Sequence, residues 1–166
     1  MIDTFIHTVS ALPPELSSLL LASLPVAEAR VAIPVALFAL GLEPVPTLVW
    51  TFIGNSLPVF ILYLLLPRCL ECVRRHVKWI DRWVVGWFEH MKDRYGESYS
   101  KWGAFFLFSF VVIPGIGTGA WGATLLAVLL KINPRLAIPS ILAGVFVSVL
   151  GVLAASLGVF SGLQLL

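Results

Sequence analysis

The chain has 166 residues, of which 59% are hydrophobic and only 12% carry a charge, and its mean hydropathy is +0.97. This apolar share excludes an ordinary soluble domain and predicts an integral membrane protein. The formal net charge of +2 is uninformative until the charges are placed. A chain this short forms one membrane domain, residues 1–166. It has too few spans to enclose a wide aqueous pore alone, which makes a homodimer plausible.

Residues 1–13 predict a short helix on the membrane surface, because apolar side chains recur at helical spacing beside polar ones. The N-terminus lacks the basic region of a secretory signal peptide, so no such peptide is predicted. The apolar positions are Ile2, Phe5, Ile6, Val9 and Leu12.

The next segment, residues 14–66, predicts a broken hairpin and then a span. Two apolar arms, 16–24 and 35–42, are each about half the roughly 20 residues that a spanning helix needs. Between them, Glu28 and Arg30 lie in a run bounded by Pro25 and Pro34, which predict breaks in the helix. This pattern indicates a re-entrant hairpin, and a single kinked span is the alternative.

A full span is predicted from Thr47 to Leu66, with a polar, kinked interruption at Gly54-Asn55-Ser56-Leu57-Pro58. Asn55 is a candidate for the substrate pathway. The alternative is a hydrogen bond between membrane helices, a common use of such residues.

Residues 67–101 hold eight of the eleven Lys and Arg residues and one apolar helical stripe. They predict an amphipathic helix on the cytoplasmic face, because positive residues mark that side. Interspersed acidic residues argue against nucleic acid. Cys69, Cys72 and His76 provide too few ligands for structural zinc, and no thioredoxin-like context accompanies the CxxC, so no metal or other cofactor is predicted.

The second half, residues 102–166, repeats the first. A short arm at 102–113, a broken centre starting at Pro114, a second arm at 123–130 and a long span at 136–163 follow in the same order. Pro25 and Pro114 are 89 residues apart, and Gly54 and Gly144 are 90 apart. We interpret this order as an internal repeat.

Charge then predicts the topology. A hairpin plus one span crosses the membrane an odd number of times, so the second half is inverted relative to the first. All ten Lys and Arg residues other than Arg30 then lie on the cytoplasmic side. If the hairpins were true spans, Lys131 and Arg135 would face outward, which the positive-inside tendency disfavours. The fold class is therefore all-α: an inverted repeat of two re-entrant hairpins, each followed by a transmembrane helix, joined by a cytoplasmic amphipathic helix.

The two hairpin tips are expected to meet near the midplane and to form the binding site. Arg30 would hold an anionic headgroup, and Glu28 would take up and release a proton. The alternative is a static ion pair between them. The second tip offers Gly115, Gly117, Thr118 and Gly119, either as a backbone nest for an anion or for close packing. No nucleophile set occurs at membrane depth, so an enzyme is not predicted.

Several segments together resemble the small multi-drug export proteins of prokaryotes, which look like distant relatives of the DedA (VTT-domain) superfamily. They are the run from Pro25 to Pro34, Gly54-Asn55-Ser56-Leu57-Pro58, Lys101-Trp102-Gly103, and the run from Pro114 to Trp121. Many members have Gly where this chain has Val31, and often Pro-Leu-Pro-Gly where it has Val112-Ile113-Pro114-Gly115.

The family resemblance implies proton-coupled export of lipophilic cations, and the DedA relationship implies flipping of phosphate-headed lipids such as undecaprenyl phosphate. Arg30 beside a glycine nest suits a phosphate, so we expect a proton-coupled lipid flippase in a prokaryotic cytoplasmic (inner) membrane, multi-pass, with residues 67–101 cytoplasmic. Its partners would be membrane lipids, an amphipathic substrate and protons. The alternatives are a small multidrug exporter and a nontransporting scaffold.

Overall fold

The computed structural model of the protein describes residues 12–76, 86, 103–113 and 119–164. All regular elements among these residues are helices, which confirms the all-α prediction for this part of the chain. The remainder of the predicted surface helix, residues 1–11, and most of the predicted linker, residues 77–85 and 87–101, lie outside the described residues. The helices are α1 (Pro14–Ser23), α2 (Glu28–Pro34), a π-helix (Val35–Ala39), α3 (Pro44–His76), α4 (Ala104–Val112), α5 (Gly119–Leu129) and α6 (Pro134–Gln164).

The two long helices, α3 and α6, are apolar enough to cross a membrane. Their candidate spans, Pro44–Cys69 and Pro134–Val159, have 26 residues each and mean hydropathies of 1.8 and 2.4. At 1.5 Å per residue each is about 39 Å long, which exceeds the roughly 30 Å of a bilayer's hydrocarbon core. The prediction of two helices that are long and apolar enough to span a membrane is confirmed.

The sequence places the change from span to linker at residue 67, but no helix ends there in the structure. Helix α3 continues through Pro67 to His76. A proline removes one backbone donor, and membrane helices tolerate this loss when neighbouring groups satisfy the freed carbonyl.

Helix α3 has the polarity expected of a helix that contacts lipid. Its exposed face is apolar and includes Val49, Ile53, Leu57, Ile61 and Leu64, which follow one another at steps of three or four residues. Its buried positions include polar Thr47, Thr51, Asn55 and Ser56. A helix in water has the reverse arrangement, because polar side chains there face the solvent. The pattern therefore indicates a membrane environment for α3.

The described residues form two compact units, and the boundary between the units falls inside both α3 and α6. The first contains the described residues up to Leu57 and those from Val145 onward, and the second contains those from Pro58 to Gly144. Each unit thus combines two short helical segments with part of each long helix.

In the first unit, α1 packs against α2 and the π-helix. Leu21 and Ala22 of α1 meet Ala32 of α2, with Val35 packed beside them. The α3 and α6 segments of this unit are joined by Phe52 and Phe146, whose rings meet edge to face at a centroid distance of 5.7 Å. Ala22 and Ala32 are small residues at the contact of α1 with α2, and small residues let membrane helices approach closely.

In the second unit, α4 packs against α5. The core of this unit also combines alanines with larger apolar residues, among them Leu107, Val111, Ala123, Leu126 and Ile141.

Each unit contains a similar close contact between its long helix and its first short helix. A Cβ added at Gly54 of α3 would collide with the carbonyl oxygen of Leu19 and lie 3.0 Å from the Cβ of Ala22, both in α1. A Cβ added at Gly144 of α6 would lie 2.9 Å from the carbonyl oxygen of Phe108 and 2.8 Å from the Cβ of Val111, both in α4. The glycines are 90 residues apart, and their respective partners are 89 apart. In each half, therefore, a glycine lets the long helix approach the first short helix.

Candidate functional site

The segment between α1 and α2 forms a tight turn. Helix α1 ends at Ser23, and Leu24 adopts an extended conformation, with φ −78° and ψ 140°. Because Pro25 follows, its ring disfavours the helical conformation at Leu24. The chain re-enters helix at Glu28, whose amide donates to the Leu24 carbonyl at 3.1 Å. The predicted break at Pro25 coincides with this turn.

Glu28 combines burial with an unfavourable backbone conformation. Its side chain is 8% exposed, and its φ is +43°, in the left-handed region. That region costs an L-residue other than glycine about 1–2 kcal/mol. Such strain clusters at functional positions, where the surrounding structure holds a particular side chain in place. Glu28 is thus a residue whose backbone and carboxyl group are both held by the fold.

Arg30 lies on a different side of α2 from Glu28. It is exposed, and among the described residues its guanidinium forms no hydrogen bond or ion pair. Residues two apart on a helix do not face each other, which explains the difference. The ion pair considered from the sequence is therefore not formed in this structure. Arg30 lies at the surface of the hairpin.

Pro34 does not break the helix, which corrects the prediction made from the sequence. It is the last residue of α2, and the chain continues directly into the π-helix Val35–Ala39. The Leu40 amide donates to the Val35 carbonyl at 3.0 Å, so the wider π-helical hydrogen bonding follows the proline. Pro34 supplies no backbone donor, and the wider hydrogen bonding begins directly after it.

Asn55 is buried in the first unit, at 3% exposure. Its Oδ1 atom has no hydrogen-bond partner among the described residues. The predicted alternative, a hydrogen bond between helices, is therefore not seen for this oxygen. A buried amide oxygen without a partner is costly, which points to a ligand or ordered water at this position.

Two threonines on the same helix were not predicted as site residues. Thr47 and Thr51 are fully buried, and with Asn55 they occur every fourth residue. The Thr51 hydroxyl donates to the Thr47 carbonyl at 2.6 Å. The Thr47 Oγ1 atom has no partner among the described residues. The signal in the sequence is this four-residue spacing of polar side chains within an apolar span.

The second predicted tip is described only at its end. Pro114, Gly115, Gly117 and Thr118 lie outside the described residues. Gly119 begins α5, is buried and has a φ of +59°. Helices α2 and α5 thus both begin at a left-handed residue. Glycine adopts this conformation without steric cost, whereas Glu28 in the first half does not.

The CxxC of Cys69 and Cys72 lies near the C-terminal end of α3. Within residues 12–76, 86, 103–113 and 119–164, no group of three or more His, Cys, Asp or Glu residues is placed to hold a metal ion. Cys69 is exposed as a free thiol.

Two long apolar helices, the inverted polarity of α3 and a buried acid beside an exposed arginine define a helical membrane protein with ionisable residues at a helix break. Comparison with protein families agrees. The family model described as "Putative small multi-drug export protein" matches residues 28–150, and the chain belongs to this family. The match begins at Glu28 and includes Arg30 and Asn55. No curated protein and no solved structure matches the chain.

Proposed function

We propose that this protein transports an amphipathic substrate with a phosphate headgroup across the membrane, coupled to protons. Arg30 binds the headgroup, and Glu28 exchanges the proton. The observation that carries the proposal is the separation of these side chains: Glu28 is buried, whereas Arg30 is exposed and has no ion pair with any residue that the structure describes. A guanidinium not engaged by a carboxylate retains its donors for the oxygens of a phosphate.

The proposal includes a re-entrant first hairpin. Helix α1 has 10 residues and is about 15 Å long, and α2 with its π-helical extension is about 18 Å long. Each length is close to half the roughly 30 Å hydrocarbon thickness. If the hairpin enters and leaves on one side, Arg30 lies deep in the membrane. Uncompensated charge is expensive there, so a lipid phosphate would be a favourable partner.

The same reasoning supports a lipid substrate over a soluble one. The hairpin surface around Arg30 is apolar, with Val26 93% exposed and Val31 47% exposed. A lipid matches both features, because its chains contact the apolar surface while its headgroup pairs with the guanidinium. Undecaprenyl phosphate, which the resemblance to DedA proteins implies, has this chemistry.

The test is transbilayer movement of a polyprenyl phosphate in proteoliposomes, with and without a pH gradient. Arg30→Ala should abolish movement, and Arg30→Lys should retain part of it because the charge remains. Arg135→Ala is the matched control, since it also removes an exposed arginine. Equal rates for the native protein and Arg30→Ala would refute the proposed role of Arg30.

Proton coupling is tested separately with Glu28→Gln, which keeps the size of the side chain and removes its acid. This variant should move the lipid at the same rate with and without a pH gradient. If the gradient still accelerates movement in Glu28→Gln, another residue carries the proton.

Small multi-drug export, which the family description names, is the second candidate, and we take lipophilic cations as the drugs to test. Helix α4 has a feature that suits it: Phe105 and Phe108 stack at a centroid distance of 6.1 Å, and Phe105 is 61% exposed. Aromatic faces attract cations. The same vesicles loaded with tetraphenylphosphonium distinguish the candidates, since Arg30→Ala should leave cation movement intact or raise it. A protein that moves neither substrate would favour the scaffold alternative.

A further inference from the structure

Three polar residues form a ladder along the buried side of α3. Thr47, Thr51 and Asn55 follow one another at intervals of four residues, and each is at least nine-tenths buried. Successive rungs are about 6 Å apart along the helix axis, so the ladder is about 12 Å long. It begins three residues after the first residue of α3 and ends near the middle of the candidate span Pro44–Cys69.

Both ends of this ladder have unmet hydrogen-bonding capacity. The Thr47 Oγ1 and the Asn55 Oδ1 have no partner among the residues that the structure describes. Thr51 uses its proton to donate to the Thr47 carbonyl, which leaves its oxygen able to accept. Leaving such groups buried and unpaired costs about 1–3 kcal/mol each. An occupant that donates and accepts at short range would remove this cost.

We infer that the ladder of Thr47, Thr51 and Asn55 is a hydrated path that leads from the N-terminal end of α3 to the middle of the membrane. Rungs about 6 Å apart along the axis are too far apart for a direct hydrogen bond between their side chains, whereas one or two water molecules bonded at about 2.8 Å can bridge them. Water is also the ligand that buried polar groups of this kind ordinarily hold in proteins.

The path ends at the contact between α3 and the hairpin. Gly54, which precedes Asn55, is the residue at which α3 approaches Ala22 of α1. Glu28 follows Ala22 by only six residues and is itself buried. The proposed purpose of the path is to bring protons to the hairpin that carries Glu28, and this purpose rests on the proposed proton coupling. The presence of the water does not depend on it.

The composition allows a direct test. Asn55 and Asn133 are the only two asparagines in the sequence, so selective labelling of asparagine reports on both, and labelling of threonine in a second sample reports on Thr47 and Thr124. In lipid bilayers, solid-state NMR measures how fast proton polarisation moves from water to each side chain. Exposed Asn133 is the wet reference. Thr124 is the dry reference, because it is fully buried and donates to its own preceding turn at 2.6 Å, as Thr51 does.

Water polarisation should reach Asn55 and Thr47 at rates near that of Asn133 and at least about three-fold faster than Thr124, as expected for side chains bonded to water. Rates at Asn55 and Thr47 as slow as that of Thr124 would overturn the inference. This readout needs no transport activity. A dry ladder in a protein that moves lipid would refute the path alone, whereas a wet ladder in an inactive protein would refute only the proposed function.

A pair of matched variants tests the role of Thr51 and controls for an effect of the substitution on folding. Thr51→Val preserves the volume and removes the central oxygen, so it should slow water transfer to Asn55 several-fold. Thr124→Val removes an equivalent hydroxyl elsewhere and should leave Asn55 unchanged. If both variants leave the transfer to Asn55 unchanged, Thr51 is not part of the path and the inference fails.

Discussion

Glu28 and Arg30 are two residues apart in sequence and have opposite environments: the carboxyl side chain is 8% exposed, and the arginine is exposed. The helix geometry of α2 explains this, because each residue advances about 100° around the axis and two steps reach the other side. The separation excludes a static ion pair between these two side chains in this structure.

The left-handed conformation of Glu28 predicts an unusual order of stability. Glu28→Gly should have a free energy of unfolding about 1 kcal/mol higher than Glu28→Ala, because only glycine adopts this conformation without steric cost. Denaturant unfolding in detergent measures the difference. At Arg30, inside α2, the order should be reversed: Arg30→Ala should have a free energy of unfolding about 1 kcal/mol higher than Arg30→Gly, since glycine is the poorer helix former. Finding alanine more stable than glycine at both positions would contradict the assigned conformation of Glu28.

The shared helix contact predicts that Gly54 and Gly144 tolerate no side chain. Gly54→Ala and Gly144→Ala should each lower the free energy of unfolding by about 1–3 kcal/mol, because the added methyl group meets a backbone carbonyl of the neighbouring helix. Gly151→Ala is the control, as nothing lies within 4 Å of its added Cβ. It should be neutral or stabilising by up to about 1 kcal/mol. Equal unfolding free energies for all three variants would rule out the close contact.

The apolar exposed face of α3 predicts how charge is tolerated along the helix. Leu57→Lys, near the middle of the candidate span, should reduce the amount of membrane-inserted protein, because a lysine there costs about 2.5–3.5 kcal/mol. Val45→Lys should have little effect, since a lysine near the helix end can extend its ammonium group to the membrane surface. Quantifying the folded protein extracted from membranes tests both. Similar yields would argue that Leu57 does not face lipid.

The positive-inside distribution predicts which end of α3 is cytoplasmic. With Cys72→Ser, the exposed thiol of Cys69 should react with a membrane-impermeant reagent in inside-out vesicles but not in right-side-out vesicles. Glu43→Cys, in a chain otherwise lacking cysteine, should show the reverse, because residue 43 directly precedes α3. Labelling of both positions from one side would mean that α3 does not cross the membrane.

Several features of the fold were predictable because they depend on local sequence. Pro25 and the short apolar arms predicted two short helical segments before each long helix, and the hydropathy of the two longest runs predicted the spans. A proline restricts the residue before it wherever it occurs, and the length of an apolar run bounds the length of a membrane helix. The Gly54 and Gly144 positions also marked the corresponding points of both halves.

Other features depended on packing and could not be read from the pattern. Proline at position 34 has the same local chemistry as proline at position 25, yet the chain remains helical there and passes into a π-helix. The left-handed backbone of Glu28 is seen only in the folded chain. The same holds for the Thr47 and Asn55 oxygens, which are buried without a partner among the described residues.

The sequence by itself determined that this is a helical membrane protein with ionisable residues at a helix break, because composition and proline act over a few residues. The tertiary structure decided which of those residues is buried. It directed Glu28 inward and Arg30 outward, and it placed a row of polar groups inside the first unit. Burial depends on the neighbours that a side chain meets after folding, and these come from distant parts of the chain.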